Sequence, residues 1–162
     1  MLNSLEIQVG QILRERTLKL SLAESCTGGL IGDRITNISG SSEYFLGGVV
    51  AYAYEAKVAL LGVSWDTLNA KGAVSGETAL EMARGVRNKL NSDIAVAVTG
   101  IAGPGGGTAE KPVGTTCIAL VAWQGEWTQS FRFLGNREEN KASSANAALQ
   151  MLLDYLQGKL KA

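Results

Sequence analysis

Leu18-Lys-Leu-Ser-Leu-Ala-Glu-Ser-Cys-Thr-Gly-Gly29 decides how this chain folds. Its first half, Leu18 to Ala23, is an apolar extended run that reads as a strand. Its second half is a polar turn closed by a glycine pair, and Gly28 to Thr36 reads as the helix that follows. A strand that enters a helix through a tight turn is the repeating unit of α/β proteins. The turn sets Glu24, Ser25, Cys26 and Thr27 beside N–H groups that a helix start leaves unbonded, where the helix dipole favours anions and oxyanions.

Working outward, Leu5, Val9, Ile12 and Leu13 recur at helical spacing and predict a first helix ending near Arg16. Downstream, Ile38 to Glu43 is a loop of small polar residues, and Gly47 to Ala53 is apolar enough for a buried strand. Tyr54 to Leu61 reads as a short helix stopped by Gly62, and Ser64 caps another that runs to Lys71. Ala79, Met82, Ala83, Val86 and Leu90 lie on one face of a longer helix. Ile94 to Thr99 has no polar break, as in a central strand covered on both faces. A glycine-rich loop, Gly100 to Gly107, precedes two strands, Val113 to Trp123 and Trp127 to Phe133, joined by a turn at Gln124-Gly125. Leu149, Leu152, Leu153, Leu156 and Leu160 form the stripe of a terminal helix. This order predicts one α/β domain over residues 1–162, three layers α/β/α around a mixed, mostly parallel sheet of about five strands.

Composition narrows the function. The 162 residues are 46% hydrophobic and 19% charged, with fifteen basic and fifteen acidic side chains and zero formal net charge. That balance disfavours nucleic-acid and membrane-surface partners, because no basic block supplies the electrostatic footprint. Met1 to Gln11 lacks the features of a signal peptide, and no apolar run approaches the ~20 residues of a membrane span. Cys26 and Cys117 fall on different elements, and free thiols in a reducing cytoplasm are the expectation. The chain contains no histidine. A zinc site is therefore disfavoured, and any nucleophile must use a base other than imidazole.

Three clusters can carry chemistry. Ser25 at the strand-to-helix turn is an attacking hydroxyl or a phosphate ligand in one reading and an ordinary N-cap in another, and position alone favours the cap. Cys26 beside it reads as a small buried residue. Ser41 and Ser42, with Tyr52 and Lys57 downstream, are the residue types of a serine hydrolase that uses lysine as base. Such a lysine must fall from about 10.4 to roughly 7–8, a shift of about 4 kcal/mol that requires burial or nearby positive charge. A tyrosine can relay the proton between them. Spacing alone does not distinguish this cluster from ordinary surface residues. The third cluster, Thr99-Gly100-Ile101-Ala102-Gly103-Pro104, ends the central strand where open α/β sheets gather ligands. It matches neither a P-loop nor a dinucleotide fingerprint.

Together these segments resemble the CinA carboxy-terminal domain family, whose characterised members are nicotinamide mononucleotide deamidases. The matching blocks are AESCTGG (Ala23 to Gly29), GSSEYFLGGVVAY (Gly40 to Tyr52) with Lys57 and LLGV (Leu60 to Val63), GAVS (Gly72 to Ser75) and TGIAGPGGGTAEKPVG (Thr99 to Gly114). The resemblance covers about Leu5 to Leu156. Met1 stands just before it, which implies the stand-alone form of a domain that in many relatives trails a larger one. It implies a serine amidohydrolase with Ser42, Tyr52 and Lys57 as the working residues and Ser25 as a pocket residue or alternative nucleophile. Glu24, Thr27, Gly28, Thr99 and Gly100 become substrate contacts. The family's GDRxxVR segment reads here Gly135-Asn-Arg-Glu-Glu-Asn-Lys141, so Lys141 replaces the second arginine and supplies charge to a phosphate without a bidentate fork. The implied reaction converts nicotinamide mononucleotide to nicotinate mononucleotide and ammonia. No metal or organic cofactor is implied, and relatives that self-associate suggest a homodimer. The alternative is a non-catalytic nucleotide-binding or interaction module.

Overall fold

The computed structural model describes residues 4–160; residues 1–3 and 161–162, the outermost ends of the expected domain, lie outside the described residues. The chain runs α1 (Leu5–Glu15), β1 (Leu20–Glu24), α2 (Leu30–Thr36), a single 3-10 turn (Ser41–Glu43), β2 (Phe45–Val50), α3 (Tyr54–Leu61), α4 (Trp65–Lys71), α5 (Gly76–Leu90), β3 (Ile94–Gly100), β4 (Thr115–Ala122), β5 (Gly125–Arg132) and α6 (Arg137–Leu156).

Local chemistry sets several of these limits. Ser64 Oγ accepts from Thr67 N at the start of α4, and Ser75 Oγ accepts from Thr78 N at the start of α5. Asn136 and Glu139 form a reciprocal capping box on α6. Each such cap satisfies donors that the first helical turn cannot bond internally, and losing one costs about 1 kcal/mol. Several boundaries shift by two residues or so from the sequence reading, and two of them shape the site. β2 occupies Phe45–Val50 rather than Gly47 to Ala53, because Ala51 N makes the last bond to β1, at Glu24 O, before the chain turns away. α2 begins at Leu30, not Gly28, because Gly28 and Gly29 take positive φ angles that a helix cannot continue.

The sheet order is β2-β1-β3-β4-β5. β1 pairs in parallel with β2 and β3, while β3–β4 and β4–β5 are antiparallel. Four of the five strands therefore point one way and β4 alone opposes them, the mixed α/β sheet expected. β3 explains the two covered faces. Ile94, Val96 and Val98 join the core beneath α1, α2 and α6, whereas Ala95 and Ala97 face the layer of α3, α4 and α5. Large residues on one side and alanines on the other let α5 approach the sheet closely. α5 also meets the end of α3 tightly, since a Cβ on Gly85 would lie 1.9 Å from Leu61 O.

This topology creates a crevice. The chain leaves β1 into α2 on one face and leaves β2 into α3 on the other. Two adjacent parallel strands whose connections diverge leave a gap at their carboxyl ends, where ligands of open α/β sheets collect. The ends of β1 and β2 carry Ser25 and Tyr52.

Candidate active site

Lys57 is the centre of this crevice. It sits on the first turns of α3, is 1% exposed, and points inward toward the end of β1. Its Nζ lies 2.9 Å from Ser25 Oγ, 3.0 Å from Ala51 O and 3.0 Å from Tyr52 O. Among the described residues no carboxylate pairs with it. Burial therefore dominates, and it pushes the Lys57 amine below its ordinary pKa. A neutral amine has two N–H donors and one lone pair. Nζ stands as donor to Ser25 Oγ, Ala51 O and Tyr52 O; in the deprotonated form the two carbonyls take its two N–H bonds, which leaves the lone pair for the Ser25 hydroxyl. This is the geometry of a general base against a nucleophile.

Ser25 is delivered by the parallel register. Its N–H donates to Val98 O on β3, which holds the residue at the top of β1, and its side chain is 7% exposed, buried yet reachable. It is not a helix cap. Four residues separate it from Leu30, and the α2 N-terminus is served otherwise. Glu24 Oε1 accepts from Ile31 N at 2.9 Å and from Thr27 Oγ1 at 2.7 Å, and Glu24 Oε2 accepts from Gly32 N at 3.0 Å. The anion site expected at this helix start is thus filled by the protein's own carboxylate. Glu24 and Thr27, both expected to touch substrate, are buried and spent on each other and on α2. Gly28 is exposed, with its N–H donating to Ser25 O. The N–H groups of Cys26 and Thr27 serve no backbone-to-backbone bond among the described residues. The Cys26 thiol is pushed up to about 11, chiefly by burial, so it is a neutral packing group at ordinary pH.

The expected serine–tyrosine–lysine cluster assembles differently. Ser42 is exposed in the 3-10 turn at the opposite end of β2 from Lys57. Six strand residues at ~3.3 Å each put roughly 20 Å between those ends, so Ser42 and Lys57 do not meet within one chain. Tyr52 reaches Lys57 through its carbonyl, not its phenol. The phenol is 57% exposed and accepts from Arg137 Nη2 at 2.9 Å, so it does not relay a proton between Lys57 and a serine in this arrangement.

Thr99 Oγ1 donates to Ala73 O at 2.8 Å and is 1% exposed, so its hydroxyl braces the loop before α5. Gly100 is required by crowding, since a Cβ there would come within 2.8 Å of Thr116 Oγ1 and 3.0 Å of Cys26 Sγ. Lys141 lies four residues after Arg137, one turn along the same face of α6.

Arg137 is the site residue that spacing did not single out. Besides Tyr52, its Nη1 donates to Gly103 O at 2.7 Å. Tyr52 follows β2 and Gly103 follows β3, and β1 lies between those strands. The guanidinium therefore spans the end of β1, above Ser25. Both its partners are neutral, which leaves its charge available. A cleft of about 560 Å³ lined by Ala102, Gly103, Pro104, Val113, Asn136 and Arg137 adjoins this bridge. A separate 450 Å³ cleft around Arg16, Asp93 and Tyr155 contains none of these residues and lies at the other end of β3. The sequence signal for Arg137 was its place in the GDRxxVR segment, where it stands as the first arginine, and that says nothing about what it reaches.

An α/β domain with a buried lysine–serine pair at its strand ends is thus defined by the coordinates alone. The chain belongs to the CinA C-terminal domain family, whose model matches residues 2–156. It is 48% identical over 159 residues to a CinA-like protein of Chlorobium limicola, which covers 95% of this chain and 37% of that protein. It is 51% identical over 150 residues to a CinA-like protein of Geobacter sulfurreducens, covering 93% of this chain and 36% of that one. The chain thus spans little more than a third of the curated relatives it matches. Among solved structures it resembles the competence/damage inducible protein CihA from Agrobacterium tumefaciens, with TM-score 0.89, 43% identity, and 94% and 95% of the two chains covered. A CinA superfamily protein from Klebsiella pneumoniae superposes with TM-score 0.92 at 34% identity, covering 95% and 96%. No helix among the described residues is long and apolar enough to cross a membrane.

Proposed function

We propose that this protein is an amidohydrolase that converts nicotinamide mononucleotide to nicotinate mononucleotide and ammonia, with Ser25 as nucleophile and Lys57 as base. The observation that carries the reading is the 2.9 Å contact between a buried lysine amine, which has no carboxylate partner among the described residues, and a buried serine hydroxyl. Ser25 Oγ attacks the carboxamide carbon while its proton passes to Lys57 Nζ. In this reading the N–H groups of Cys26 and Thr27, which serve no backbone-to-backbone bond among the described residues, stabilise the developing oxyanion, and one such donor commonly contributes about 3 kcal/mol. Lys57 then gives its proton to the departing nitrogen, and ammonia leaves an acyl ester on Ser25. Water, deprotonated by the same amine, attacks the ester, and Ser25 recovers its proton as the carboxylate leaves.

The phosphate needs a cation, and the α2 N-terminus is closed to it by Glu24. Arg137, with two neutral partners, supplies that charge, with Lys141 one turn behind it. Thr99 and Gly100 contribute by shaping the cleft wall. The assembly we propose is a homodimer, for which the outer edge of β2, with Leu46 and Val50 exposed, offers apolar surface. Two buried free thiols accord with a cytoplasmic setting. The test is ammonia release from nicotinamide mononucleotide by purified protein in the presence of chelator. Turnover by wild type and none by Ser25→Ala is expected; turnover that survives Ser25→Ala rejects the assignment.

A further inference from the structure

A second bridge crosses the crevice on the side away from Arg137. Tyr54 stands about one helical turn before Lys57 on α3. Its hydroxyl accepts from Ala73 N at 3.3 Å, and Ala73 O accepts from Thr99 Oγ1 at the end of β3. Tyr54 thus ties the β2–α3 corner to the loop that the end of β3 braces, as Arg137 ties the end of β2 to the loop after β3, and Ser25 follows β1, the strand between β2 and β3. Trp65 packs behind it, with ring centroids 6.3 Å apart and planes inclined at 44°. Tyr54 remains 40% exposed and Trp65 45% exposed. A tyrosine placed only to fill the core would be covered; this one is anchored at its hydroxyl and flanked by an indole while a large part of it stays open.

We propose that Tyr54, backed by Trp65, is the wall against which the planar aromatic ring of the carboxamide substrate lies, so that it selects aromatic over aliphatic amides. This rests on the amidohydrolase reading and adds the residue that reads the ring. The phosphate end of the substrate then faces Arg137 across the slot, and the carboxamide reaches Ser25 at its floor. An aromatic wall is tolerant of ring substituents but not of loss of planarity, because stacking depends on the π face and not on hydrogen-bond readout.

The test is steady-state kinetics on nicotinamide mononucleotide with Tyr54→Leu, Tyr54→Phe and Trp65→Phe proteins, alongside tryptophan fluorescence titrations of Ser25→Ala and of Ser25→Ala/Trp65→Phe. Tyr54→Leu should raise KM about tenfold, within the range of one ring–aromatic stack, with kcat within about threefold. Tyr54→Phe should stay within about threefold of wild type in KM. Saturation with substrate should quench emission in Ser25→Ala, and the Trp65→Phe change should remove most of that quench. An unchanged KM in Tyr54→Leu, or a loss confined to kcat, overturns this proposal while leaving the amidohydrolase reading intact. Absence of both hydrolysis by wild type and any titratable fluorescence change overturns the two together.

Discussion

Replacing Lys57 with methionine tests the site in two independent ways. Methionine keeps an unbranched, apolar side chain but removes the amine and its three contacts, to Ser25 Oγ, Ala51 O and Tyr52 O. At ~1 kcal/mol for each bond the folded state loses about 3 kcal/mol. A protonated lysine in a buried site already costs stability, so below its pKa the wild type carries a burden that the variant lacks. The sign follows from linkage. Burial lowers the Lys57 pKa, so between that lowered value and the ordinary lysine value near 10.4 the unfolded chain binds more protons than the folded one. This group's contribution to wild-type stability therefore rises with pH across the window and diminishes as pH falls through it. The deficit of Lys57→Met should be about 3 kcal/mol near pH 10 and smaller at pH 7. Urea unfolding followed by tryptophan fluorescence at both pH values measures it. Activity should fall with the base: kcat/KM drops about 1000-fold, roughly 4 kcal/mol of transition-state stabilisation. Lys57→Arg should be equally inactive, since a guanidinium does not give up its proton. A stability deficit that is the same at pH 7 and pH 10, or larger at pH 7, would refute the argument that burial governs this amine. Near-wild-type turnover by the methionine variant would remove its role as base.

Three further outcomes are expected. Ser42→Ala should keep kcat/KM within about twofold of wild type, since its exposed hydroxyl is not tied to the crevice and surface substitutions away from such features change little; a loss comparable to Ser25→Ala, measured in the same ammonia assay, would contradict the placement. Glu24→Ala should lower stability by about 2–3 kcal/mol, because buried N–H groups at the α2 start lose a charged acceptor, and thermal melting should report a drop of roughly 4–12 °C. Arg137→Met should raise KM for nicotinamide mononucleotide about tenfold or more while leaving kcat within a few-fold, the pattern of a lost charge-assisted contact; unaltered KM would place the phosphate elsewhere.

The fold was largely legible along the chain, and the reasons are local. The helix α3 ends where Gly62 adopts a left-handed conformation, and α4 and α5 begin at the serines whose hydroxyls accept N–H bonds. The β3 run carries no polar residue before Thr99, which only a doubly covered strand tolerates. The start of α2 was misplaced because a glycine pair signals a turn as well as a helix opening, and here both residues belong to the turn. The site was legible in its lysine, while its serine stayed open between Ser42 and Ser25. Lys57 stands out by residue chemistry, whereas Ser25 reads both as an attacking hydroxyl and as a cap, and position alone favours the cap, a role that needs only a helix immediately after it. That helix starts four residues too late, and Glu24 provides the acceptor instead. Arg137 was marked only by its place in the GDRxxVR segment, and what it reaches was hidden because its two partners lie 85 and 34 residues away in sequence.

What the amino-acid order determined by itself was the alternation of strands and helices, their caps and the two-faced burial of the central strand, because each follows from neighbours within a few residues. Which hydroxyl meets the lysine was decided only by tertiary structure. Ser42 lies nearer to Lys57 in sequence, yet a strand stands between them, while Ser25, separated by 32 residues, is brought to 2.9 Å. The parallel register of β1 and β2 sets their carboxyl ends side by side, and that alignment is a property of the assembled sheet.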